Sequence, residues 1–225
     1  MRTQTKEIQT TLTPHKAFEI LAEGNARFVS NLRLNRNLLQ QVNETSEGQY
    51  PFAIVLSCID SRTSAELIFD QGLGDIFSVR VAGNVLNEDI LGSMEFACQV
   101  AGSKLIVVLG HTKCGAVKGA CNHVELGHLT GLLSKIGPAI YDVERAGGTS
   151  LTPDAFVEQV AVENTRHQMR AVLERSPILE HLFREGRIGL VGGVYAVETG
   201  AVTFFEQHFS DVKAEVTGQL TGTRA

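Results

Sequence analysis

Three short runs constrain this chain more than anything else in it: "FAIVLS" (52–57), "IFSVRVA" (76–82) and "KLIVVLG" (104–110). Each is rich in β-branched residues and apolar at successive positions, so it lacks the alternation of a strand with one wet face. Strands of that kind are covered on both sides, as in the interior of a parallel sheet. The intervening stretches read as helices: "TSAELIFDQG" fills the first gap. "NEDILGSMEFACQVAG" fills the second, with Ile90, Met94, Ala97 and Ala101 along one face. Such a βαβαβ order requires right-handed crossovers and opens a ligand crevice at the carboxyl ends of the strands.

The flanks complete the pattern. "PHKAFEILAEGNARFV" predicts a helix over 14–29, with Thr13 as N-cap, Pro14 at the first helical position, and Phe18, Leu21, Ala22 and Phe28 at helical spacing. Residues 32–48 are rich in Asn and Gln and predict a surface segment, free to lie on a partner subunit. "GHLTGLLSKIGPAIYDVERAGG" predicts a helix broken near Pro138, and "PDAFVEQVAVENTRHQMRAVLERS" a second. "RIGLVGGVYAVETGAVTFFEQ" predicts two strands joined at Glu198-Thr199-Gly200. The expected fold is α/β: a mainly parallel central sheet flanked by helices, with an antiparallel strand near the C-terminus. With no repeat or linker to divide it, one domain is expected. It would comprise an N-terminal helical arm (1–47), a catalytic core (48–206) and a tail (207–225).

Composition removes several functions. Twenty Lys and Arg against 25 Asp and Glu give a net charge of −5, with no basic stripe to follow a phosphate backbone, so nucleic acid is not expected as a partner. No apolar run is long enough to span a membrane, and the polar start "MRTQTKEIQTTLTP" has no signal-peptide core, so a cytoplasmic protein is expected. Four cysteines without an export signal point to reduced thiols and raise metal binding above a disulfide framework.

The chemistry gathers after strands one and three. "SCIDSR" follows the first and "GHTKC" the third, which places Cys58, Asp60, His111 and Cys114 at carboxyl ends of parallel strands, where they can converge. Two thiolates, an imidazole and a carboxylate suit zinc, which takes three firm protein ligands and keeps one replaceable position in a catalytic site. Cys114 stands at a strand-to-helix turn, where a helix N-terminus favours thiolate. Either fragment alone also occurs by chance; the ordered pair carries the signal. Cys98 and Cys121 read as buried small apolar residues. His15, His123, His128, His167, His181 and His208 read as solvated or capping, with a proton shuttle among them possible in principle.

C-x-D-S-R with G-H-x-x-C, the intervening "FDQGLGDIFSVRVAGN" and the closing "GGVYAVETGAVTF" together resemble the β-class carbonic anhydrases over residues 14–206. The resemblance implies reversible hydration of carbon dioxide to bicarbonate and a proton by zinc-bound hydroxide, with Cys58, His111 and Cys114 as zinc ligands. It implies that Asp60 accepts a hydrogen bond from that hydroxide while Arg62 grips the Asp60 carboxylate. In the unrelated three-histidine carbonic anhydrases the zinc-bound water has a pKa of about 7. Two thiolates leave less net positive charge here, so a somewhat less acidic water is expected. By the same resemblance Gln49 and the Gly115 backbone N–H would face the substrate oxygens, and Phe77, Ala82 and Phe96 would form apolar walls. Many relatives carry Tyr at the position of Phe96.

In the family the wall and the glutamine come partly from a neighbouring subunit, so a homodimer, paired into a tetramer, is expected. Other outcomes remain open: a related zinc hydrolase of carbon disulfide or carbonyl sulfide, and a structural zinc module without catalysis. Arg62 beside Asp60 argues against the last. Some bacterial members close at low pH through a pocket that uses a tryptophan three residues before the first ligand cysteine and a glycine just before it. Here those positions are Val55 and Ser57, and the chain has no tryptophan. The expectation is that Asp60 stays with Arg62 and that activity falls smoothly on acidification.

Overall fold

The computed structural model describes residues 3–210. Its centre is a five-stranded sheet in the order β2-β1-β3-β4-β5, formed by β1 (Ala53–Ser57), β2 (Ile76–Arg80), β3 (Leu105–His111), β4 (Gly189–Tyr195) and β5 (Val202–His208). The first four strands are mutually parallel and β5 pairs antiparallel with β4, its register shifting between Gly192 and Gly193. This is the mainly parallel sheet with one antiparallel C-terminal strand that the sequence predicts.

The apolar runs are explained by what covers them. Side chains alternate across a strand, so Ile54 and Leu56 of β1 join Ile106 and Val108 of β3 in one core cluster. Ala53 and Val55 join Leu105, Val107 and Leu109 in another, on the opposite face. The first face is covered by α5 (Glu88–Glu95) and the π-helical turn Phe96–Val100 that continues it, by α9 (Pro153–Arg175) and by α10 (Pro177–Arg184). The second is covered by α2 (Pro14–Val29) and the single turn α4 (Ala65–Ile68). A third cluster closes the carboxyl ends of the strands with α6 (Gly115–Cys121), α7 (Gly127–Leu133), α8 (Gly137–Arg145) and the start of α9.

The structure refines the expected elements. Helix α2 starts as read, with the Thr13 side chain accepting from the Lys16 N–H and Pro14 in its first turn. It is less of a free arm than expected, since Ala17 and Leu21 are fully buried in this chain's own core and Phe18 packs edge-on to Phe204. Two short helices flank it, α1 (Lys6–Thr11) and α3 (Leu38–Glu44), neither marked by a long apolar period. α3 and the loop before it carry Leu32, Leu38, Leu39 and Val42 exposed. The break near Pro138 is a 3₁₀ turn, Ser134–Ile136, between α7 and α8. Helix α10, which Ser176 caps and Pro177 opens, follows the expected helix and was not read from the sequence. Of the expected tail 207–225, residues 207–208 end β5 and residues 211–225 lie outside the described residues.

Between β1 and β3 the topology reverses: the chain leaves β1 toward β2 on one side and returns to β3 on the other. A crevice opens at the carboxyl ends of strands at such a switch point.

Candidate metal centre

Cys58 follows β1 directly, His111 ends β3 and Cys114 caps α6. Because β1 and β3 are hydrogen-bonded neighbours with Ser57 level with Leu109, the two loops leave the sheet side by side. One ligand atom from each of Cys58, His111 and Cys114 lies within 4.8 Å of the others, and all three residues are buried.

The local electrostatics fit a cation. The neighbouring Cys114 sulfur lowers the Cys58 pKa against the pull of burial, and the same pairing together with burial raises that of Cys114. The amides of Ala116 and Val117 at the start of α6 favour the Cys114 thiolate. His111 Nδ1 lies 2.8 Å from the Thr112 carbonyl, a contact that sets Nδ1 as the protonated nitrogen. Nε2 is then a buried acceptor without a hydrogen-bond partner. An orphaned imidazole nitrogen facing two thiols is the donor set of a three-ligand zinc site.

Asp60 lies just outside this group. Arg62 grips it with Nε at 2.9 Å from Oδ1 and Nη2 at 2.8 Å from Oδ2, and its backbone N–H adds a bond of 2.9 Å to Oδ1. These hydrogen bonds from Arg62, more than its charge, hold the Asp60 carboxyl well below the usual carboxylate range despite partial burial.

A supporting layer was not read from the sequence. Arg80, at the end of β2, donates to the carbonyls of Cys58 (3.0 Å) and Asp60 (2.6 Å), and the Thr63 hydroxyl donates to the same two carbonyls. The Gly83 N–H points at Cys58 Sγ, 3.4 Å away; Gly83 sits at φ 69°, in the left-handed region open to glycine. Asn164 of α9 donates to the Gly83 carbonyl at 2.9 Å, and Gln168 one turn on accepts from the Leu86 N–H at 2.8 Å. For Asn164 and Gln168 the sequence signal is a polar residue on the buried face of α9.

The expected substrate residues divide. Gly115 opens α6 next to Cys114, and Ala82 immediately precedes Gly83. Gln49 does not reach the metal group in its own chain: it is exposed and precedes β1, at the opposite end of the strand from Cys58. Phe77 is level with Ile54, also toward the amino end of the sheet, and pairs with the exposed Phe96 at 6.3 Å between ring centres.

Cys98 and Cys121 are unpaired thiols away from the centre, pushed by burial up to about 12 and about 11. A second group, Asp142, Glu163 and His167, also brings ligand atoms together. Its Glu163 is engaged by Arg166 and Arg170, each at 3.2 Å, and His167 by Asp142 at 2.8 Å, so it is an ion-pair network. Val55 faces the second core cluster, and Ser57 is fully buried beside Cys58.

Comparison with known proteins gives one answer. A family model described as carbonic anhydrase matches residues 53–202. Carbonic anhydrase 2 of Mycobacterium tuberculosis is 36% identical over 211 residues, spanning 90% of this chain and 98% of that protein. The β-carbonic anhydrase CafA of Aspergillus fumigatus superposes with a TM-score of 0.69 at 26% identity, over 84% of this chain and 90% of its own. A tetrameric β-carbonic anhydrase of Sordaria macrospora shares the fold, with a TM-score of 0.67 at 21% identity over 74% of this chain and 89% of that one.

Proposed function

The chain belongs to the β-class carbonic anhydrases, enzymes of the reversible hydration of carbon dioxide, and from that premise we propose that it works with zinc held by Cys58, His111 and Cys114. The observation that carries the assignment of ligands is the buried, unpartnered His111 Nε2 facing two cysteine sulfurs. Bound there, zinc would acidify water and so supply an oxygen nucleophile near neutral pH.

The chain's own residues do the rest. Asp60, ionised and fixed by Arg62, accepts a hydrogen bond from the attacking oxygen and aims its lone pair at the carbon of carbon dioxide. Arg62 keeps the carboxylate from turning to the metal. Ala82 offers an apolar surface to a substrate with no net dipole, and the Gly115 N–H is a donor for the oxygens of the bicarbonate that forms. Since Gln49, Phe77 and Phe96 lie away from their own chain's metal group, they serve the site of a second copy. The active unit is therefore a homodimer, and pairing of dimers gives a tetramer like that named for the Sordaria macrospora protein. We place the catalytic core at residues 48–206 and the protein in the cytoplasm. Four cysteines outside any disulfide support that placement, and among the described residues no helix is long and apolar enough to cross a membrane.

Stopped-flow hydration of carbon dioxide, with metal analysis of the native protein and of Cys58→Ser, tests this reading. Native protein should hold one zinc per chain and lose activity with it to a strong chelator. Stoichiometric zinc in Cys58→Ser would sink the ligand assignment. Turnover of carbon disulfide without hydration activity would favour the related hydrolase.

A further inference from the structure

The two metal loops are not equally relaxed. Between His111 and Cys114 stands Lys113, a non-glycine residue with φ 54°. The left-handed region is costly for a residue with a side chain and persists only where neighbours enforce it. This turn is what sends His111 and Cys114, three residues apart, toward one point.

Two carboxylates from distant parts of the chain hold it. Glu158, on α9, accepts the Lys113 backbone N–H at 2.8 Å. Glu198, in the turn between β4 and β5, takes the Thr112 hydroxyl on Oε2 at 2.8 Å and the Lys113 ammonium on Oε1 at 2.7 Å. The Thr112 oxygen in turn accepts the Val197 N–H at 3.0 Å, and the Thr112 N–H bonds to the Tyr195 carbonyl at 2.9 Å. The N–H and hydroxyl of Thr112 and the N–H and ammonium of Lys113 are thus tied to α9, to the end of β4 or to the β4–β5 turn. The hydrogen bonds from Lys113 and Thr112 also hold the Glu198 carboxyl down to about 2, so it stays an acceptor well into acid.

We propose that Glu158 and Glu198 are positioning residues that clamp the 112–113 turn in its left-handed form and thereby keep His111 and Cys114 aimed at a common metal ion. The inference rests on the metal reading of Cys58, His111 and Cys114. Neither glutamate belongs to the metal group: Glu158 acts through the Lys113 backbone N–H and Glu198 through the Thr112 and Lys113 side chains. Hydrogen-bonded partners behind metal ligands are commonly worth 10- to 100-fold in metal affinity, and the clamp should show that size of effect.

The experiment measures the rate at which the zinc-loaded protein releases metal to a chromogenic chelator. Native protein is compared with Glu158→Ala, Glu198→Ala and the double variant, and apo-protein melting is recorded alongside. Release should rise about tenfold or more in the double variant, while the melting temperature of the apo forms moves little. Glu158→Gln keeps an acceptor for the Lys113 N–H and should release at close to the native rate. Adding Lys113→Gly to Glu158→Ala should slow release again, because glycine takes a positive φ without strain. Cobalt-loaded protein gives a second readout, since its visible spectrum follows ligand geometry without any turnover. Native release rates in both single variants would overturn the clamp while leaving the metal site standing, and so would lowered melting with unchanged release. Failure of native protein to take zinc or cobalt would overturn the metal reading, and the clamp with it.

Discussion

Arg62 meets Asp60 through both arms of its guanidinium, and this fixes which proton the pH profile reports. A carboxylate whose pKa is lowered on folding keeps its pairing above the unfolded value, and loses it only as pH falls through the lowered one. Asp60 therefore stays ionised throughout the neutral range. With Val55 and Ser57 buried where a bicarbonate pocket would need other residues, kcat/KM should fall on acidification with the slope of a single proton, added bicarbonate or not. A steeper loss would show that Asp60 leaves Arg62. Arg62→Lys keeps the charge but not the fork, and should lower kcat/KM roughly 100-fold by letting Asp60 drift by about 1 Å. Near-native turnover in that variant would remove the dyad from the mechanism. Cys98 offers an independent check: burial holds its pKa near 12, so at pH 8 it is a thiol. In chelator-stripped native protein a thiol reagent should modify Cys58, whose pKa is lowered, well before Cys98. Mass mapping that finds Cys98 first would contradict this.

Among the elements, α2 closes one face of the core and α9 holds both the core and the site. α2 lies so close to the turn after α4 that a Cβ on Gly24 would sit 1.8 Å from the Phe69 carbonyl oxygen. Overpacking a fitted contact costs about 1–3 kcal/mol, and at this chain length each kcal/mol is worth roughly 2–4 °C of Tm. Gly24→Ala should therefore melt several degrees below the native protein in calorimetry, and an unchanged Tm would mean that α2 does not dock on its own core. α9 works differently. Its apolar residues Met169 and Val172 fill the core, while Glu158, Asn164 and Gln168 on the same helix hold the loops around the metal group. One element thus supplies both the burial that stabilises the sheet and the hydrogen bonds that position its loops.

For the molecule as a whole, the proposed role of Gln49, which lies far from its own chain's metal group, would make activity a property of two chains. In a dimer, each site would pair one chain's metal group with the other chain's glutamine. Gln49→Ala and Cys58→Ser homodimers should both be nearly inactive, for different reasons. Mixed and allowed to exchange in equal amounts, they should regain about a quarter of native activity, because half the dimers are mixed and each of those has one intact site. No recovery after verified exchange would place Gln49 outside the active site. The exposed Leu32, Leu38, Leu39 and Val42 are the apolar surface through which such pairing is expected.

The sequence alone determined the sheet and the metal group. Unbroken β-branched runs demand cover on both faces, and parallel strands must present their carboxyl ends together, so C-x-D-S-R after β1 and G-H-x-x-C after β3 had to meet once those strands were neighbours. What only the tertiary structure decided lies in contacts between residues far apart in the chain. Arg80, Asn164 and Gln168 hold backbone groups that carry no residue identity. Lys113 takes a left-handed turn that its own side chain disfavours, because Glu158 and Glu198 arrive from 45 and 85 positions away. Gln49 looks adjacent to Cys58 in the sequence, and the extended strand between them puts the two at opposite ends of the sheet. A pattern fixes which side chains face which layer; only the packed chain fixes which backbone groups find partners and how far apart two neighbours in sequence end up.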